Sequence, residues 1–229
     1  MKGENQDSWI VNPLDDGGLL LAVADGIGGA PGGLQASQLA ITTIADGITS
    51  GSQGNQLAKL MQDVNRRVYD EGRHRAELLG MGTTLTAAIF WQNTVYLSHV
   101  GDSRAYQIDQ RHIEQCTEDH SVAAELERVG GLTAKEAAVH PQRHVLTRAI
   151  GPFNRVSVDS KVLPWAKQDH RLLLCTDGLY NALSDAMIFD ICRREHGQKA
   201  VDALIAEALR AGGPDNVTVV LAESGMGLV

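Results

Sequence analysis

The chain has 229 residues, 43% of them hydrophobic, and its 28 acidic against 20 basic side chains leave a net charge of −8. That length can build one large core, no linker or repeat divides it, and the expectation is a single domain spanning 1–229. The acidic balance excludes a basic nucleic-acid surface, and no run reaches membrane-spanning length or forms a signal segment, so the sequence reads as soluble and cytoplasmic. Three scattered cysteines, Cys116, Cys175 and Cys192, contain no CxxC pair and fit reduced thiols.

Ser8 to Val11 and Leu19 to Ala24 read as strands joined by the turn Asp15-Asp16-Gly17-Gly18. Asp25-Gly26-Ile27-Gly28-Gly29-Ala30-Pro31-Gly32-Gly33 follows, an acid on a loop almost free of side chains. Helices are predicted from Leu34 to Ile48 and from Gln56 to about Ala76. Thr83 to Trp91, Thr94 to Val100 and Arg104 to Ile108 read as strands, with turns at Gln92-Asn93 and Gly101-Asp102-Ser103. Asp109-Gln110-Arg111 turns the chain again, and two short helices, Ser121 to Val129 and Thr133 to Ala138, flank Gly130-Gly131. Strands are expected at Val156 to Val162, Arg171 to Cys175 and Val217 to Ala222. Helices are expected at Ser184 to Arg194, with Ser184 as N-cap, and at Gln198 to Arg210. Strands in hairpin-linked groups and helices in pairs favour antiparallel sheets covered by helices over a βαβ alternation.

An acid recurs at the ends of apolar strands. Asp25 follows Leu19–Ala24, Asp177 follows Leu172–Thr176, Asp102 follows Val95–Gly101, and Asp215 precedes the last strand. One such Asp is ordinarily a turn residue. Four at one edge of two sheets would repel each other unless cations lay between them. Oxygen donors without a His or Cys cluster suit magnesium, manganese or calcium over zinc.

With these residues the chain resembles the metal-dependent serine/threonine protein phosphatases, the protein phosphatase 2C-like family in its compact bacterial form. The resemblance rests on Glu4-Asn5-Gln6-Asp7, Val23-Ala24-Asp25-Gly26-Ile27-Gly28-Gly29, Gly82-Thr83-Thr84, Val100-Gly101-Asp102-Ser103-Arg104-Ala105, Thr117-Glu118-Asp119-His120-Ser121, Leu146-Thr147-Arg148-Ala149-Ile150-Gly151, Cys175-Thr176-Asp177-Gly178-Leu179 and Pro214-Asp215-Asn216-Val217-Thr218, in family order. It implies an α+β fold, a four-layer sandwich of two antiparallel β-sheets flanked by pairs of α-helices. It implies two Mn²⁺ or Mg²⁺ ions and a weaker third. Asp25 would bridge the two ions, and the Gly26 carbonyl would bind the second. Asp177 and Asp215 would hold the first, Asp7 would orient metal-bound water, and Asp102 would serve the third site. A metal-bridging hydroxide would attack phosphoserine or phosphothreonine directly, with no covalent nucleophile. Residues 121–143 would form a mobile flap. The partners implied are phosphorylated proteins, targets of a serine/threonine kinase, met by a monomer that binds neither nucleic acid nor membrane.

The chain departs from the family pattern at four places. Lys2, the expected substrate-binding residue, stands where an arginine usually grips the substrate phosphate, and the strand that usually precedes it is missing. Gln6 replaces an acid beside Asp7, Ile27 replaces a His found in some relatives, and Asn181 replaces an Asp associated with the third metal. Three rival readings follow from single motifs. A Rossmann nucleotide fold fails because Pro31 falls on the third glycine position, and a P-loop fails for want of a Gly-Lys pair. A serine hydrolase built on Gly101–Ala105 fails because a nucleophile elbow leads into a helix and Arg104–Ile108 reads as a strand. A non-catalytic or weakly active metal-binding regulatory module of the same fold would draw its support from Lys2, Gln6 and Asn181. His120 and His144 read as structural residues, and Arg148 as one half of a structural ion pair.

Overall fold

The computed structural model describes residues 4–15, 17–27, 32–48, 56–165, 170–213 and 215–224. Lys2 and residues 28–31 of the glycine loop lie outside them.

The first sheet begins with the hairpin β1 (Asp7–Pro13) and β2 (Leu19–Asp25), and β3 (Leu85–Trp91), β4 (Thr94–Val100) and β7 (Asp159–Pro164) complete it in the order β1-β2-β3-β4-β7. The second contains β5 (Arg104–Ile108), β6 (Ile113–Gln115), β8 (Arg171–Cys175) and β9 (Val219–Glu223), in the order β6-β5-β8-β9. Every pairing within both sheets is antiparallel.

The internal strands β2 and β8 carry the apolar runs Leu19–Ala24 and Leu172–Cys175 because each is buried on two faces. Leu20, Ala22 and Ala24 of β2 point outward to the helices α1 (Gly33–Gly47) and α2 (Leu57–His74), where they meet Ile44, Met61 and Val64. Leu21 and Val23 point inward to the space between the sheets. In β8, Leu172 and Leu174 join that inner layer. Leu173 and Cys175 face the outer helices α6 (Asp185–Arg194) and α7 (Gly197–Arg210). Helix, sheet, sheet, helix is the resulting layer order, an α+β fold. Ser184 caps α6 by accepting from the Met187 backbone N–H, as its position predicts.

Several boundaries differ from the sequence expectation. The strand expected at Val156–Val162 pairs only from Asp159, opposite His99 on β4. Val156 and Val158 are apolar because they pack against the first core, not because they sit in a ladder. The last strand starts at Val219, two residues late. The three-residue β6 and the single turn α5 (Asp177–Tyr180) are too short to show any periodicity in the sequence. The two helices beside Gly130-Gly131 are α3 (Val122–Arg128) and α4 (Ala134–Ala138). Thr133 and Glu136 form a reciprocal capping box on α4. Among the described residues, no helix is long and apolar enough to cross a membrane.

Candidate active site

Antiparallel pairing decides where the acids meet. Asp7 opens β1 and Asp25 closes β2, and the two face each other in register. Asp102 lies between β4 and β5, Asp177 follows β8, and Asp215 precedes β9. Arg104 pairs with Cys175 and Cys175 with Val219, so these ends fall together. Asp25, Gly26, Asp102, Asp177 and Asp215 line one cavity of about 1280 Å³. Asp7 sits behind Asp25, with Oδ2 accepting from the Thr176 hydroxyl at 2.8 Å.

Two glycines make this convergence possible. A Cβ on Gly26 would lie 2.4 Å from the Gly33 carbonyl oxygen at the start of α1. A Cβ on Gly178 would lie 1.9 Å from the Asn216 carbonyl oxygen. Only the lack of a side chain lets the Asp177 turn press against the Asp215–Asn216 segment. Asn216 Oδ1 also accepts from the Gln6 backbone N–H at 3.1 Å, tying that segment to the start of β1.

The backbone of Asp25 is held on both sides. Its N–H donates to Thr84 Oγ1 at 2.9 Å, and its carbonyl accepts from Thr83 Oγ1 at 2.8 Å and the Thr84 N–H at 2.9 Å. Thr84 Oγ1 lies 2.7 Å from Ser103 Oγ. Ser103 is fully buried in this lattice, which removes it as a nucleophile. Arg104 grips Asp119 through Nε at 3.0 and 3.1 Å and through Nη2 at 2.7 Å. The same guanidinium lies 3.6 Å from the centre of the Tyr180 ring. The Tyr180 hydroxyl donates to the Asp102 carbonyl at 2.9 Å.

Burial and crowding raise Asp7, Asp25, Asp102 and Asp177 together. Burial, then Asp7, Asp177 and Asp102, push Asp25 up to about 10. Burial and Asp177 push Asp102 up to about 8. Burial and Asp215 push Asp177 up to about 6, and burial raises Asp7. Asp7 Oδ1 and Asp177 Oδ1 are buried and accept no hydrogen bond. Among the described residues, no group of three or more His, Cys, Asp or Glu side chains forms a finished metal cage. The donor set still fits hard divalent cations, being all oxygen and containing two buried carboxylate oxygens without partners. The three cysteines are buried free thiols, with Cys175 pushed by burial up to about 12 and Cys192 up to about 11. They hold no thiolate at neutral pH and offer no sulfur nucleophile.

The other singled-out residues divide. His120 is buried, its Nδ1 accepting from the Gly101 N–H at 3.0 Å and its Nε2 lying 3.0 Å from Asp159 Oδ2. Arg148 pairs with the other Asp159 oxygen at 2.6 Å, the ion pair expected of it. His144 instead lines the cavity, with Nδ1 3.4 Å from Asp177 Oδ2. Asn181 Nδ2 donates to the same oxygen at 3.1 Å. The Gln6 amide oxygen lies against the start of α1, where a Cβ on Gly33 would be 2.9 Å away. Sequence reasoning assigned no role to Thr83, Thr84, Tyr180 or the Arg104–Asp119 pair, although three of the four segments carry quoted motifs.

Comparison with known proteins gives one answer. The family model described as Protein phosphatase 2C matches residues 2–211. The chain is 37% identical over 232 residues to the serine/threonine phosphatase stp of Listeria welshimeri, covering 97% of this chain and 91% of the relative. The crystal structure of the Mycobacterium tuberculosis serine/threonine phosphatase PstP/Ppp superposes with a TM-score of 0.89 at 35% identity, covering 99% of this chain and 94% of that one. The S. agalactiae serine/threonine phosphatase gives a TM-score of 0.89 at 33% identity, covering 98% and 95%. Strand-end acids on two antiparallel sheets, a whole-chain sequence match and a whole-chain structural match agree, and the chain belongs to the protein phosphatase 2C family.

Proposed function

We propose that this chain is a metal-dependent protein phosphatase, a single catalytic domain that hydrolyses phosphoserine and phosphothreonine in cytoplasmic protein substrates of a serine/threonine kinase. Family membership supports the phosphatase activity. The observation that carries the mechanism is the set of carboxylates on one cavity floor, with Asp7 Oδ1 and Asp177 Oδ1 buried and unpartnered. Asp25, Asp177, Asp215, Asp7 and the Gly26 carbonyl would hold Mn²⁺ or Mg²⁺, and Asp102 a weaker third ion. When bound, such cations offset the phosphoryl charge and acidify water for in-line attack.

The chain's own groups do the rest. The Thr83 and Thr84 hydroxyls fix the Asp25 backbone, so its carboxylate is placed before substrate arrives. Thr176 orients Asp7 through one oxygen and leaves the other toward the acids. In the reaction the P–O bond to the serine or threonine oxygen breaks, a P–O bond to water oxygen forms, and a water proton ends on the departing hydroxyl. Ser103 is buried and the thiols are protonated, so direct water attack needs no phosphoryl-enzyme. Phosphate release from phosphothreonine peptides should require Mn²⁺ or Mg²⁺, and both excess chelator and Asp25→Ala should reduce it to background. Undiminished turnover in chelator would refute the mechanism, and no turnover under any cation would favour the non-catalytic module.

A further inference from the structure

Ile27 has no part in the chemistry described above, yet it lines the cavity directly after Asp25 and Gly26. Pro152 and Phe153 line the same cavity from a distant part of the chain. Ile27 and Pro152 converge over Gly82. A Cβ there would lie 2.8 Å from Ile27 Cδ1 and 2.8 Å from Pro152 Cγ, so only a glycine leaves room for both. Phe153 comes next and is 73% exposed, whereas Val156 and Val158 of the same segment pack into the first core. One exposed apolar side chain is ordinary on a protein surface. Three on one cavity, carried by a fixed backbone, call for a ligand.

The backbone is fixed to the acid end. Gly26 and Ile150 both bridge to Thr83, whose hydroxyl holds the Asp25 carbonyl. The Thr83 N–H donates to the Ile150 carbonyl at 3.0 Å, and the Ile150 N–H donates to the Thr83 carbonyl at 2.8 Å. The Ile27 N–H donates to the Gly82 carbonyl at 3.0 Å. Asn65 of α2 then ties down the Gly151 N–H and the Phe153 carbonyl. The Phe153 ring is thus presented from the frame that positions Asp25, and little backbone ordering is left to oppose a group packing on it.

We propose that Ile27, Pro152 and Phe153 form an apolar shelf for an apolar side chain flanking the phosphorylated residue of the substrate, with Phe153 as the specificity-determining residue, an inference that rests on the phosphatase reading above. A ring beside two aliphatic side chains gains by covering apolar surface. A charged flanking residue would be stripped of water against three side chains that offer it no hydrogen bond.

The experiment uses a glycine-rich phosphothreonine peptide and versions of it with a single leucine, placed in turn at each of the two positions on either side of the phosphothreonine. Phosphate release at saturating Mn²⁺ is measured for the parent, Phe153→Ala and Phe153→Leu. The parent should favour the leucine peptide at one position or more by roughly three- to tenfold in kcat/KM. Phe153→Ala should bring that ratio close to one, and Phe153→Leu should keep part of it. A parent indifferent to leucine at every position overturns the proposal. So does a ratio that survives Phe153→Ala, including an equal loss on leucine and glycine peptides with a fall in Tm, which marks a residue that only holds its loop. An inactive parent would instead count against the phosphatase reading. The affinities of the leucine and glycine peptides for the parent and Phe153→Ala, measured by fluorescence anisotropy, then decide the shelf on their own: a leucine preference present in the parent and lost in the variant supports it, and any other pattern overturns it.

Discussion

Asp7 and Asp25 stand directly opposite on adjacent antiparallel strands, a placement that penalises two like charges. Asp25 is pushed to about 10 and so holds its proton across the neutral range when no cation offsets the crowd. A carboxyl whose folded value exceeds its unfolded one stabilises the fold at low pH and loses that contribution as pH rises through the folded value. In chelator, the protein should therefore melt at lower temperature as pH climbs from about 6 toward 10. Asp25→Asn should flatten that decline and raise Tm while abolishing turnover, and a chelated Asp25→Asn protein less stable than the parent at pH 9 would contradict this. Asp25, Asp102 and Asp177 were legible in the sequence because each ends an apolar run beside glycine, and Asp215 because it follows paired glycines before one, whereas Asp7 came only from the family resemblance. Thr84 was not, since a threonine before a strand looks like any β-former. Its role depends on Asp25, 59 positions away. Thr84→Ala leaves the Asp25 N–H without its acceptor, and kcat should fall at least tenfold with smaller change in KM, as checked by steady-state kinetics.

At the scale of elements, the strands buried on both faces were the easiest to read. β8 has the predicted bounds because Leu172, Leu173 and Leu174 are apolar regardless of the face they take. β7 was shifted because Val156 and Val158 imitate a strand while packing as unpaired chain. α5 was invisible because four residues carry no period, yet it places Asp177 and Tyr180. One join between elements was equally hidden. The Asn65 amide on α2 accepts from the Gly151 N–H at 2.8 Å and donates to the Phe153 carbonyl at 3.0 Å, in a site 1% exposed. Asn65→Leu keeps the volume and orphans both backbone groups. The loss should be about 1–3 kcal/mol per orphaned group. The corresponding fall in Tm should be about 2–4 °C per kcal/mol, read by calorimetry.

For the molecule as a whole, the sequence supplied layer order and the location of the acids, but not the polar seam that joins the sheets near them. His99 is that seam's centre. Its Nδ1 lies 2.8 Å from Thr86 Oγ1 and its Nε2 3.1 Å from the Glu118 carbonyl, and its ring stacks near His120 at 4.8 Å. Burial, then His120, lower it from 6.5 to about 3. The unfolded chain takes up a proton below 6.5 that the folded chain refuses, so this contribution is complete above pH 6.5 and is lost as pH falls toward 3. The slope is at most about 1.4 kcal/mol per pH unit. With cations saturating, urea unfolding at pH 7 should give a higher midpoint than at pH 5, and equal midpoints would show that His99 does not govern acid stability.

The crowded acidic floor also makes metal loading an exchange of ions. At pH 7 Asp25 and Asp102, at about 10 and about 8, are protonated, and Asp177, at about 6, is partly so. A divalent cation that takes these oxygens must evict their protons. Apparent affinity should then steepen with pH, by up to roughly tenfold per unit for each proton displaced. Adding MnCl₂ to the protein in unbuffered solution should acidify it, and the base needed to hold pH constant counts the protons released. The enzyme's demand for metal and its response to acidity become one property of the same three carboxyls.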